Sequence, residues 1–268
     1  MKPLTSFVSI GAGNVATHLC TGLSEKGFRL KQVYSRSYDS CQALTSRLMA
    51  ESTTSVEGIV PDADFYLVSL PDDVIPSVLS KLEVKDKLIL HTAGSIGLEV
   101  FQHRFQHYGV LYPLQTFSKS RPLDISKIPF FVEGCDTETT NSILEIAGKL
   151  SDVVFQSDSQ TRKWLHIAAV FASNFTNFMF TSAHDMLIKE NIDFNLLYPL
   201  MEETLRKAQS GNPARGQTGP AIRRDTNTMQ EHIKLLSNRP DLQKIYTFIS
   251  NNIQEYYSGN QSKQLNNG

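Results

Sequence analysis

Residues 11 to 16 read Gly-Ala-Gly-Asn-Val-Ala, directly after the apolar run Phe7-Val8-Ser9-Ile10 and directly before a helical pattern. A GxGxxA turn between strand and helix is suited to holding a pyrophosphate. Gly11 permits the tight turn. Gly13 lets backbone approach the phosphates, and Ala16 lets helix and strand pack closely. Backbone N–H groups at the helix start, around Ala12, Asn14 and Val15, then point at the anion. A tight strand-to-helix turn with no ligand is the competing account of the same residues.

The end of the next strand separates the dinucleotides. An Asp or Glu there holds the ribose 2′-OH of NAD. This chain has Tyr34-Ser35-Arg36-Ser37 instead. Arg36 offers a charged fork to a 2′-phosphate, and Ser35 and Ser37 add hydroxyl donors, which favours NADP(H). Methyltransferases share a Gly-rich first turn but also call for an acid after the second strand. Leu70 and Pro71, at the end of Phe65–Leu70, are placed on the nicotinamide side. Pro71 is expected to start the next helix, with Asp72 and Asp73 as its cap and first-turn acids.

Those turns need a sheet to position them. Short apolar runs at 7–10, 30–34, 65–70, 88–90, 109–112 and 129–132 alternate with helical segments, including 14–26. That alternation predicts an α/β fold, an N-terminal Rossmann doubly wound, mainly parallel sheet. From about residue 155 the pattern turns helical, over 160–189, 193–209, 225–237 and 239–257, with Asn212-Pro213 and Gly219-Pro220 as breaks. The expected division is a nucleotide-binding domain over 1–156, an all-helical substrate and dimerisation domain over 157–258, and a polar tail over 259–268.

The 268 residues are 40% hydrophobic and carry a net charge of −1, so no bulk electrostatic case exists for nucleic acid or an anionic membrane. Ile167 to Ala183 lacks charge, but six Ser, Thr and Asn residues interrupt it, which reads as a helix buried in protein rather than a membrane span. No secretory start is evident. Cys20, Cys41 and Cys135 have neither metal nor disulfide-framework spacing, so no metal and a cytoplasmic setting are expected.

Four further stretches sharpen the reading: His91-Thr92-Ala93-Gly94-Ser95, Leu111-Tyr112-Pro113-Leu114-Gln115-Thr116-Phe117, the run from Lys163 to Phe175, and Thr218-Gly219-Pro220-Ala221-Ile222-Arg223-Arg224-Asp225 with His232 after it. With the glycine turn, their order resembles the β-hydroxyacid dehydrogenase and pyrroline-carboxylate reductase superfamily. Within it, the match is to Rossmann-like NADP oxidoreductases with a C-terminal helical domain of unknown function, also labelled deazaflavin-dependent. The resemblance covers nearly the whole chain. It implies NADP(H), a helical domain that often dimerises, and no particular substrate.

Hydride transfer to a carbonyl or imine needs a proton donor at the substrate heteroatom and groups that hold the substrate. Related dehydrogenases place a Lys at the start of the long helix, which makes Lys163 the first candidate by analogy, although Ile167 stands where some relatives have an Asn. His166, three residues on, shares its face. An unperturbed imidazole titrates at about 6.5, which suits the task. Asn174 follows eight residues later, a rotation of about 80° on a regular helix, and would orient a polar substrate group. Ser95 would offer its hydroxyl and backbone N–H to a substrate carboxylate. Gln115 and Thr116 are expected to close the cofactor cleft. Arg223 and Asp225 would pair, leaving Arg224 for an anionic substrate. Together these residues predict an NADP(H)-dependent oxidoreductase acting on a small carbonyl, imine or hydroxyacid in an interdomain cleft; the alternative is a non-catalytic NADP(H)-binding sensor or scaffold. A homodimer is expected, because the apolar helix around 165–183 needs cover.

Overall fold

The computed structural model describes residues 3–101 and 104–265, with side chains through residue 259. Eight strands among them form one sheet in the order β3-β2-β1-β4-β5-β6-β7-β8. The strands are β1 (Ser6–Ile10), β2 (Arg29–Tyr34), β3 (Glu51–Thr53), β4 (Phe65–Val68), β5 (Leu88–His91), β6 (His107–Pro113), β7 (Phe130–Gly134) and β8 (Val154–Gln156). Only the β6–β7 pairing is antiparallel. The short edge strands β3 and β8 go beyond the sequence expectation.

The central strands are apolar on both faces because both faces are covered. Phe7, Phe65, Leu67, Leu88 and Leu90 pack on one side with Leu19 and Leu23 of α1 (Asn14–Glu25), Leu44 of α2 (Tyr38–Leu48) and Ile143 of α4 (Thr137–Leu150). Their neighbours Val8, Tyr66, Val68 and Ile89 face the other way, onto Ile75 and Leu79 of α3 (Ile75–Leu79) and onto Phe101.

The chain reverses its direction of sheet growth between β1 and β4, the switch point at which open α/β sheets bind ligands outside the carboxyl ends of the strands. Register aligns these ends: Ile10 pairs with both Tyr34 and Val68, and Val68 pairs with His91. The loops after β1, β2, β4 and β5 therefore leave the sheet side by side.

Contacts divide the chain between Phe175 and Thr176. Helix α5 (Ser159–Ala169) and a π-helical turn, Val170–Phe175, thus group with the sheet. The second unit holds α6 (Thr176–Lys189), α7 (Tyr198–Gln209), α8 (Pro220–Arg223), α9 (Thr226–Leu235) and α10 (Pro240–Leu265). Its α10 continues through much of the expected polar tail, because extending an existing helix avoids the cost of nucleation; residues 266–268 lie outside the described residues.

Two further expectations are corrected. Pro71 does not begin a helix: a turn intervenes, with Val74 N–H on the Pro71 carbonyl at 2.9 Å, and α3 starts at Ile75 without a side-chain cap. Asp72 and Asp73 therefore cap nothing. The uncharged stretch 167–183 is not buried within the chain, since Ile167, Phe171, Phe175 and Phe178 are exposed. No helix among the described residues is long and apolar enough to cross a membrane.

Candidate active site

The first turn of α1 is built differently from the other long helix starts of the sheet unit. Ser37, Asp136 and Asp158 each accept a backbone N–H at the starts of α2, α4 and α5. Gly13 occupies that position in α1 and supplies no side-chain cap. A Cβ built on Gly13 would meet nothing within 4 Å, so open space adjoins the free amides. Gly11 is required for a different reason: its φ is +123°, and a Cβ would lie 2.2 Å from the Ser69 carbonyl oxygen. An open space beside uncapped amides fits a phosphate.

The space is part of a groove of about 540 Å³. Gly11, Ala12, Gly13 and Asn14 line one side, and Ser35, Arg36 and Ser37 another. Leu70 and Pro71 lie at the end of β4, beside Ser69 and Val74. Val15 is the exception among the residues read as cofactor contacts, because its side chain packs against the core. The hydroxyl oxygens of Ser35 and Ser37 accept the backbone N–H groups of Ser37 and Ser40, at 3.2 and 3.3 Å, which leaves the Ser37 O–H donor available. Arg36 is exposed and makes no ion pair or hydrogen bond among the described residues. No Asp or Glu lines the groove. One cation in its lining, Lys119, escaped the sequence reading.

At the ends of β5 and β6 a second cluster forms. The Tyr112 hydroxyl lies 3.2 Å from His166 Nδ1, with the two rings edge to face. A Cβ on Gly94 would stand 2.7 Å from both His166 Nδ1 and Tyr112 Cζ, so glycine is what lets the loop after β5 close over the pair. No protein group among the described residues bonds His166 Nε2. Burial pushes the Tyr112 phenol above its ordinary range, and the nearby Arg162 charge opposes that shift. Tyr112 is the functional candidate that the sequence did not single out: 54 residues separate it from His166.

The other candidates are held differently. Lys163 Nζ is 3.4 Å from Glu99 Oε1. Ser95 donates its hydroxyl to Asp72, and Thr92 donates to Ser69 Oγ at 3.2 Å. Asn174 is exposed in the π turn and hydrogen-bonds none of these residues. Because a π turn closes i→i+5, it advances by a smaller angle per residue than an α-helix, so the rotation of about 80° expected of a regular helix does not apply across Val170–Phe175. Gln115 Oε1 accepts the Thr116 N–H, and neither residue lines the groove. In the second unit Arg223 and Asp225 form no ion pair; Asp225 instead caps α9, accepting Thr228 N–H at 3.1 Å, and Arg224 donates to Ser258. His232 Nδ1 meets the Tyr246 hydroxyl at 2.9 Å, joining α9 to α10.

Residues 7–94 match the family model described as NADP oxidoreductase, coenzyme F420-dependent, and residues 128–253 match a domain of unknown function, DUF2520. A Bacteroides fragilis protein named as a candidate NADP oxidoreductase is 43% identical, over 94% of this chain and 98% of that one, with a TM-score of 0.88. A Thermotoga maritima protein is 21% identical over 95% and 99% of the two chains, with a TM-score of 0.68. An imine reductase from Myxococcus stipitatus, solved with NADP+, shares the fold at 14% identity, 95% and 94% coverage and a TM-score of 0.66. No curated protein matches the chain.

Proposed function

This chain belongs to the family of NADP oxidoreductases that carry a DUF2520 domain, and on that premise we propose that it transfers a hydride between NADP(H) and a small carbonyl, imine or hydroxyacid substrate. The observation that carries the reading is the uncapped start of α1, open at Gly13, in a groove that contains Arg36 and no carboxylate. The backbone from Gly11 to Val15 holds the pyrophosphate, and Arg36, Ser35 and Ser37 take the 2′-phosphate. Leu70 and Pro71 border the nicotinamide. The bound dinucleotide supplies or accepts the hydride.

The chain's own part is to hold the substrate and move a proton. His166 exchanges that proton through Nε2, the nitrogen left without a protein partner, while the Tyr112 hydroxyl holds Nδ1. Lys163, whose ammonium leans on Glu99, is the other donor for the same heteroatom. Ser95 and Asn174 orient polar groups of the substrate. The active species is a homodimer, because the apolar faces of the long helices have no cover within one chain.

Calorimetric titration with NADPH and with NADH tests the cofactor part. NADPH should bind the more tightly, and Arg36→Ala should abolish most of the difference. Turnover of a panel of carbonyl, imine and hydroxyacid compounds should then be lost in His166→Ala with NADPH binding retained. Failure of the folded protein to bind either nucleotide refutes the assignment.

A further inference from the structure

We infer that Lys119 is a phosphate ligand of the bound dinucleotide, delivered from the loop after β6 rather than from either of the turns that ordinarily hold one. The inference rests on the cofactor groove proposed above and adds a residue to it. Lys119 lines that groove together with Gly13, Asn14 and Arg36, although it lies far from them in sequence. Arg36 and Lys119 are its only charged lining residues, so the groove is cationic. NADP(H) brings a pyrophosphate and a 2′-phosphate, more negative charge than one guanidinium balances.

The loop is held where it is. The Leu114 N–H bonds the Pro129 carbonyl at 2.8 Å at its start. His18 Nε2, on the second turn of α1, donates to the Ser118 carbonyl at 2.9 Å, and the His18 and Phe117 rings lie 5.3 Å apart. Farther along, Ile125 lies so close to Gly22 of α1 that a Cβ there would approach it to 2.9 Å. Lys119 is therefore the residue next to an anchor on the same helix whose first turn faces the phosphate. Its amine makes no ion pair among the described residues. It also borders a second cavity, of about 250 Å³, that runs along α1 past Thr17, Thr21 and Arg47, so the side chain stands where the two spaces meet.

The test is titration of the full chain with NADPH and with NADH, in the wild type, Lys119→Ala and Lys119→Arg. Removing one charge-assisted contact should raise Kd about 10-fold, and the arginine variant should recover most of it. Loss confined to NADPH assigns Lys119 to the 2′-phosphate; equal loss for both nucleotides assigns it to the pyrophosphate; either supports the inference. His18→Ala, which frees the anchor and leaves the ammonium in place, should weaken binding less than Lys119→Ala. Unchanged affinity for both nucleotides in Lys119→Ala overturns the inference while leaving the cofactor assignment intact. A wild type that binds neither nucleotide overturns the assignment itself and this inference with it. Lys119 is exposed on its loop, so the melting temperature without nucleotide should not move.

Discussion

Arg162 of α5 is fully buried, and its guanidinium pairs with the Glu133 carboxylate on β7. It also donates to the Ile96 carbonyl at 2.6 Å, while Ser159 donates its hydroxyl to Glu133. One side chain thus fixes the helix that carries Lys163 and His166 to the sheet and to the loop after β5. Removing one member of such a pair strands the other. Arg162→Met should cost about 3–5 kcal/mol, read by denaturant unfolding. Combining it with Glu133→Leu should cost less than the single change, because no uncompensated charge remains.

Gly94 is the point at which backbone meets Tyr112 and His166. Gly94→Ala should push the two rings apart and abolish turnover, while NADPH still titrates into the groove around Gly13. Equal loss of both activities would indicate a collapsed sheet edge instead. The structural cost should be about 1–3 kcal/mol, typical of overpacking.

His91 makes stability depend on pH. Burial, reinforced by the Arg162 charge, lowers its pKa to about 3, and a contact with the Gly97 backbone works weakly the other way. The unfolded imidazole takes up a proton below about pH 6.5, whereas the folded one stays neutral down to about 3. Between these values the unfolded chain holds more protons, so stability falls as the solution is acidified, by up to about 1.4 kcal/mol per pH unit from this group. His91→Asn should flatten the profile between pH 6 and 4 relative to wild type, measured by urea midpoints.

The second unit buries only Ala221 and Leu242 among its described apolar side chains, while Phe178, Leu200, Leu235 and Phe248 are exposed. Helices draw most of their stability from packing, so these faces need a partner. Light scattering should give the mass of two 30.0 kDa chains. Phe171→Asp with Phe175→Asp, which puts charge on an exposed aromatic pair whose rings lie 5.0 Å apart, should shift it to one.

What was legible in the sequence is what short-range rules govern. The GxGxxA turn, the strands leading into it and the missing acid after β2 each depend on residues a few positions apart. The contact between Tyr112 and His166 depends on how β6 and α5 meet, and no local pattern encodes that. Lys119 reads as a loop lysine until His18 is seen to hold its neighbour Ser118. Asp72 reads as a cap because it follows a proline, yet its partner is Ser95, a strand away. The π turn at Val170–Phe175 carries no composition signal that separates it from the α-helices on either side, so a count at a fixed angle per residue does not carry across it.

On the proposed assignment, the open start of α1 also makes the nucleotide part of the protein's own folding balance. Where α2, α4 and α5 start on a side chain that the gene encodes, α1 starts on none, and the proposed nucleotide takes that place. A ligand at 100 times its Kd adds about 2.7 kcal/mol to the folded state. The amount of this protein that survives in a cell should therefore follow the size of the nucleotide pool, rising when the pool is full and falling when it is drained.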